Sequence, residues 1–185
     1  MASTRWPQVV DAIVDLTRAM PGWWGPGQDP PQVDAPGLDG PVLVLDGPEL
    51  ALTGERSARL LVVGMTLDDD LDQGTSGQVI VALGRHQREE RGSVRCQAIA
   101  QHDGLDLPEP NWSGPRVTAR DLRRSAFGVM AAVETLLRAD VTLGFQASAV
   151  VVAEIGERIV PRQGFGEQGG ALCAVEFDVI YRTRI

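Results

Sequence analysis

Two stretches of this chain repeat apolar residues at helical spacing, and the patterned stretches between and after them read as strand. That order constrains the fold more than any single motif. In the first stretch Trp6, Val10, Ile13, Val14, Thr17 and Met20 share one helical face, with Pro7 at its opening and Pro21-Gly22 at its end. In the second, Thr118-Ala119-Arg120-Asp121 has the form of a capping box with Asp in place of Glu. Leu122, Ala126, Val129, Met130, Val133, Leu136 and Leu137 follow as the stripe, which ends near Ala139-Asp140. Each helix has one apolar face and must pack it on something.

The strand runs supply that something. Residues 42–45 and 59–65 are apolar almost throughout, so both of their faces are expected to be covered. Asp46-Gly47-Pro48 closes the first run as a turn. Residues 78–83 form a third β-prone run. In 94–102, Val94, Cys96, Ala98 and Ala100 alternate with Arg95, Gln97 and Gln101. Two long strands, 149–160 and 172–183, close the chain. In the latter, Cys173, Val175, Phe177, Val179 and Tyr181 alternate with Glu176, Asp178 and Arg182. The expected fold is α+β, a largely antiparallel or mixed sheet with two helices packed on one face. A length of 185 residues suits a single domain over 1–185.

With 21 Gly and 12 Pro, the connections are expected to be long. Segment 21–41 holds Trp23 and Trp24, which either tuck against the domain or anchor a neighbouring subunit, as interface tryptophans do. Segment 103–117 holds Trp112, and the tip 163–170, with Phe165 and Glu167, has the form of a contact arm. The charged stretch 85–92 contains Arg88, Glu89 and Glu90 and is expected as an exposed hairpin or an intersubunit ion-pair surface. Arg120, Arg123 and Arg124 open the second helix, where the helix dipole disfavours cations. They call for solvent or for acidic partners on a neighbour.

Composition narrows the function. The net charge of −8 argues against a tight grip on DNA phosphates. No apolar run approaches the roughly 20 residues of a membrane span, and the N-terminus lacks the apolar core of a signal peptide. No Lys occurs, so every basic residue apart from the two His is Arg, a mark of codon bias.

The candidate chemistries fail on spacing or context. Gly164-Phe165-Gly166-Glu167-Gln168-Gly169 spells a dinucleotide motif, but a strand follows it where a helix is needed. The acidic run Asp68-Asp69-Asp70-Leu71-Asp72 lacks the spacing of a calcium loop. His102-Asp103 has no placed nucleophile; Cys96 lies about 20 Å away along the same strand. His86 stands in the charged stretch, and Cys96 and Cys173 are too few for a disulfide framework, so buried free thiols are expected. The expectation is no catalytic residue, no metal and no cofactor.

The order of features nevertheless resembles a family. Trp6 on an N-terminal helix is followed by the apolar run ending in Asp46-Gly47-Pro48, then by Arg59-Leu60-Leu61-Val62-Val63-Gly64. The Arg88-Glu89-Glu90 turn leads into the strand from Val94 to Ala100. Leu136-Leu137-Arg138-Ala139-Asp140 then runs into Thr142-Leu143-Gly144, ahead of Glu176-Phe177-Asp178-Val179. Over nearly the whole chain this order resembles the tail terminator (tail completion) proteins of tailed phages, especially those of actinobacterial phages and prophages. The resemblance implies a compact α+β subunit of a virion protein that assembles into a hexameric ring in the host cytoplasm. Its implied partners are further copies of itself, the tail tube protein and the head-completion proteins of the neck, with DNA passing through the lumen. It implies no enzymatic role. Another neck or head–tail connector component, or the cap of a phage-derived injection system, is the alternative expectation, and a small ligand-binding domain or enzyme using His102, Asp103 and the glycine loop is a third.

Overall fold

A computed structural model describes residues 4–29, 40–47, 57–64, 74–82, 87–102, 117–145, 151–165 and 170–184. Its elements are α1 (Trp6–Arg18), β1 (Trp23–Trp24), β2 (Val42–Asp46), β3 (Ser57–Val63), β4 (Gly74–Ala82), β5 (Gln87–His102), α2 (Ala119–Ala139), β6 (Val151–Phe165) and β7 (Ala171–Arg184). The fold is α+β, as expected, with a mixed sheet.

The strands run in the order β1-β2-β3-β5-β7-β6, with β4 also paired to β5. The pairs β1–β2 and β2–β3 are parallel and the others antiparallel. One side of β5 is taken by β7 from Glu89 to His102. On its other side β3 and β4 lie end to end, β3 facing 96–102 and β4 facing 87–94. Gly64 makes the exit between them. Its φ is +78°, its N–H donates to the Arg95 carbonyl at 2.8 Å, and a Cβ there would sit 3.6 Å from Val10.

Both helices lie on one face. Val9, Val10, Ile13 and Val14 of α1 and Leu122, Ala126, Val129, Val133 and Leu137 of α2 join one buried cluster. From the sheet this cluster takes Val42, Val44, Leu61, Val63, Val94, Cys96, Ala98, Val175, Phe177 and Tyr181. Each fully buried aliphatic chain contributes about 1.5–3 kcal/mol. A second cluster, Leu43, Leu45, Leu60, Val62, Ile99 and Ala174, is buried on the opposite face of the sheet. The continuous apolar runs of β2 and β3 are therefore covered on both sides, as their pattern predicts.

Local chemistry ends the helices. Thr118 Oγ1 accepts from the Asp121 N–H at 3.3 Å, and Asp121 Oδ2 accepts from the Thr118 N–H at 3.0 Å, which completes the capping box. At the far end Asp140 accepts from the Thr142 and Gly144 N–H groups at 3.0 and 2.8 Å. That turn holds Leu143 at a φ of +52°, which buries its side chain under the helices. Thr17, wholly buried in α1, satisfies its hydroxyl on the Ile13 carbonyl at 2.7 Å.

α1 starts differently. Its N-cap, Arg5, makes no side-chain cap. Glu90 of β5, fully buried on the helix-side face of the sheet, takes that place. Its carboxylate accepts from Thr4 Oγ1 at 2.6 Å, the Arg5 N–H at 2.8 Å and Tyr181 Oη at 2.7 Å. The Trp6 indole N–H donates to the Ser93 carbonyl at 3.1 Å beside it. The N-terminus is thereby tied to the β5–β7 pair.

Four expectations are corrected. Trp23 and Trp24 form a short parallel edge strand and are not part of a loop, because the N–H of Val42 bonds the Gly22 carbonyl and draws the segment into register. Arg88, Glu89 and Glu90 lie within β5 and not in a turn, because β4 and β7 extend the pairing past Val94. The hairpin tip is shorter than 163–170, since β6 runs to Phe165. β4 starts at Gly74, ahead of the apolar run that marked it.

Glu90 yields a prediction. Burial raises the Glu90 pKa, but hydrogen bonds from Thr4, the Arg5 N–H, Tyr181 and the Trp6 N–H outweigh it and hold the pKa below its ordinary value. A depressed folded pKa stabilises fully above the unfolded value of about 4.3, and that stability is lost as pH falls through the folded pKa. Urea midpoints measured from pH 7 down to pH 3 should fall more steeply for the native chain than for Glu90→Gln. Glu90→Ala at neutral pH should cost about 3 kcal/mol, since it leaves buried donors without an acceptor.

Candidate functional site

Strand alternation and register build the second face of the sheet into a grid. Arg91 of β5 pairs with Arg182 of β7, which pairs with Val152 of β6. One step along, Ser93 pairs with Ile180, and Ile180 with Glu154. These six residues point away from the helices because their neighbours Val94, Val179, Tyr181 and Ala153 point toward them. With backbone from Gly92 and Tyr181 they line an open depression of about 460 Å³. Val152 and Ile180 are 45% and 39% exposed, so two branched apolar side chains lie among its lining residues.

Charged side chains stand beside them, Arg91, Arg182 and Glu154 among the lining residues. Glu89 Oε1 lies 2.6 Å from Arg91 Nε and 3.3 Å from Arg182 Nε, so one carboxylate serves two arginines. Arg95 and Asp178 pair at 3.5 Å in the next row. Beyond it Glu176, 2% exposed, lies 2.8 Å from Arg162 Nε and 3.9 Å from Arg158. The 2.8 Å approach is an ion-pair distance without hydrogen-bond alignment, and Glu176 Oε1 has no aligned donor. Between these rows the register of β6 shifts from Ile155 to Ile159. Gly156 sits in that bulge, where a Cβ would come within 3.2 Å of the Ile180 side chain, which would have to give by a few tenths of an ångström.

The grid collects few of the residues singled out from sequence. Glu89 belongs to it. Glu90 does not face a partner, a correction to its expected interface role: tied to Thr4, Arg5 and Tyr181, it is interior. Trp23 packs on the helix-side cluster and Trp24 on the opposite one, one step apart on a strand that sends them to different faces. Arg120, Arg123 and Arg124 are exposed on the first two turns of α2, where Arg123 donates to Gln163 Oε1 of β6 at 3.3 Å. Trp112, Glu167 and the side chains of Arg88 and Phe165 lie outside the described residues, as do His86, Asp103 and 68–72. The residues that sequence reasoning missed are Ser93, Val152, Glu154, Ile180 and Arg182. Alternation marks each as outward-facing, but only the β5–β7–β6 register joins them.

Among the described residues, no three His, Cys, Asp or Glu side chains gather as a metal site, and no helix is long and apolar enough to cross a membrane.

Both cysteines are buried and free. Burial pushes the Cys96 thiol up to about 12 and also raises that of Cys173. Cys173 pairs with Ala100, four positions along β5 from Cys96, so the two lie about 13 Å apart and cannot bridge. Iodoacetamide at pH 8 should leave both unmodified in the native chain and label both in urea, read by intact mass. No protein-family model matches the sequence, and no curated protein matches it.

Proposed function

We propose that this chain is a structural ring subunit of a phage-type tail, a tail terminator that caps the completed tube, stops its polymerisation and meets the head-completion proteins. The observation that carries the ring reading is the Arg91–Arg182–Val152 and Ser93–Ile180–Glu154 surface, where exposed Val152 and Ile180 stand beside charged side chains on an open sheet face. The tail reading rests on the resemblance in element order, and two helices on one face of a mixed sheet agree with what that resemblance implies. A net charge of −8 suits a lumen through which DNA moves without sticking, because like charge disfavours phosphate contact. Ring subunits repeat one heterologous contact until the circle closes.

Adding the purified chain to polymerising tail tube protein tests the tail reading. Electron microscopy should show a ring of density at one tube end and an arrest of growth. Tubes that grow to the same length with and without the chain would sink the tail reading.

A further inference from the structure

Among the described residues the sheet has three outer edges, and they are not alike. At the β1–β2 end, β1 holds two residues, and beyond it Arg18 Nη2 takes the Val44 carbonyl at 3.2 Å. At the other end, β6 has its Ala153 N–H held by the Val141 carbonyl at 2.9 Å, a bulge between Ile155 and Ile159, and Pro161 without an N–H. A short strand, a bulge and a proline each blunt an edge against strand addition.

The third edge belongs to β4. It lies end to end with β3 beside β5, but β2 flanks β3 alone. Among the described residues, no strand pairs with the side of β4 that faces away from β5. Its register is unbroken over seven residues, from Gly74↔Val94 to Ile80↔Arg88, and shifts only before Ala82. In an antiparallel pair, alternate residues turn their N–H and C=O groups toward the partner, and the residues between turn theirs away. Every second residue of this run therefore offers a donor and an acceptor outward. The strand, Gly74-Thr75-Ser76-Gly77-Gln78-Val79-Ile80-Val81-Ala82, contains no charged residue and no proline to repel a neighbour. Gly77 stands mid-run, where glycine weakens a strand and often marks the close approach of a second backbone.

We propose that β4 pairs edge to edge with β4 of a second copy of this chain, antiparallel about a two-fold axis. The occupant follows from what a second copy offers. Strand addition needs an open edge on both partners, and with the β1–β2 and β6 edges blunted, β4 is the described edge left to meet β4. Identical strands that run antiparallel are self-complementary, so every backbone bond is repeated across the axis. The strand is uncharged, so two chains of net charge −8 meet here without like charges opposed across the ladder. The pairing makes one continuous sheet through both subunits, β7-β5-β4 of one followed by β4-β5-β7 of the other. This contact goes beyond the ring reading, because it closes on itself as a dimer where a ring needs a contact that propagates.

Proline substitution at adjacent positions, with amide exchange on the native chain, tests this. Ser76→Pro and Gly77→Pro, made singly, each remove one N–H, and of two neighbours in a strand one N–H points to β5 and the other away. Circular dichroism and urea midpoints identify the variant that keeps the native fold. Sedimentation velocity should show a dimer for the native chain. The two-fold axis doubles the loss of each bond, so the folded proline variant should dimerise at least about tenfold more weakly. In the native chain, amides of 74–82 should exchange more slowly in concentrated than in dilute solution, which reads the strand directly even if both variants unfold. A folded proline variant that dimerises like the native chain would overturn the contact. So would exchange at 74–82 that ignores concentration, or a native chain that stays monomeric at the highest concentration reached. A β4-dependent dimer that leaves tail tubes uncapped removes the tail reading alone, and capping by a chain whose β4 stays unprotected removes this contact alone.

Discussion

The unshifted antiparallel pairing of β5 with β7, from Glu89↔Arg184 to His102↔Ala171, is the constraint on which the rest depends. Side chains alternate across a strand, so this register sends Val94, Cys96, Ala98, Val175, Phe177 and Tyr181 to the helices together. The same register sends Arg91, Ser93, Ile180 and Arg182 to the opposite face. A slip of one residue on either strand would bury charge and expose the core, which makes the register strongly specified. β3 and β4 then add to one side of the pair and β6 to the other. Glu90, at the end of the ladder, carries the start of α1 through its bonds to Thr4 and Arg5, and Tyr181 joins it from β7.

The outer edge of β6 is blunted against strand addition. An open edge strand invites another strand. Here the Ala153 N–H is held by the Val141 carbonyl at 2.9 Å. The bulge between Ile155 and Ile159 then interrupts the ladder, and Pro161 offers no N–H. These three features discourage edge pairing along the strand, while the face of the same strand stays open at Val152 and Glu154. Backbone pairing at this edge is thus disfavoured.

Glu176 and Glu90 are two buried carboxylates handled in different ways. Glu90 is satisfied by oriented donors and holds local structure together. Glu176 depends on Arg158 and Arg162, both about half exposed, which roof it from the β6 side of the bulge. The first arrangement fixes a helix to a sheet, and the second fixes the course of an irregular edge strand.

By itself, the sequence determined both helices, the Thr118–Asp121 capping box, the alternation of β5 and β7 and the two-sided burial of β2 and β3. These follow from spacing along the chain, through helical and strand periodicity and the local hydrogen bonding of a cap. Only the tertiary structure decided that Trp23 and Trp24 form a parallel edge, that Glu90 is interior, and that Arg91, Arg182, Val152 and Ile180 share one surface. Each of those depends on which strand lies beside which. Neighbours in a sheet are far apart in sequence, and local periodicity says which face a residue takes without saying what stands next to it.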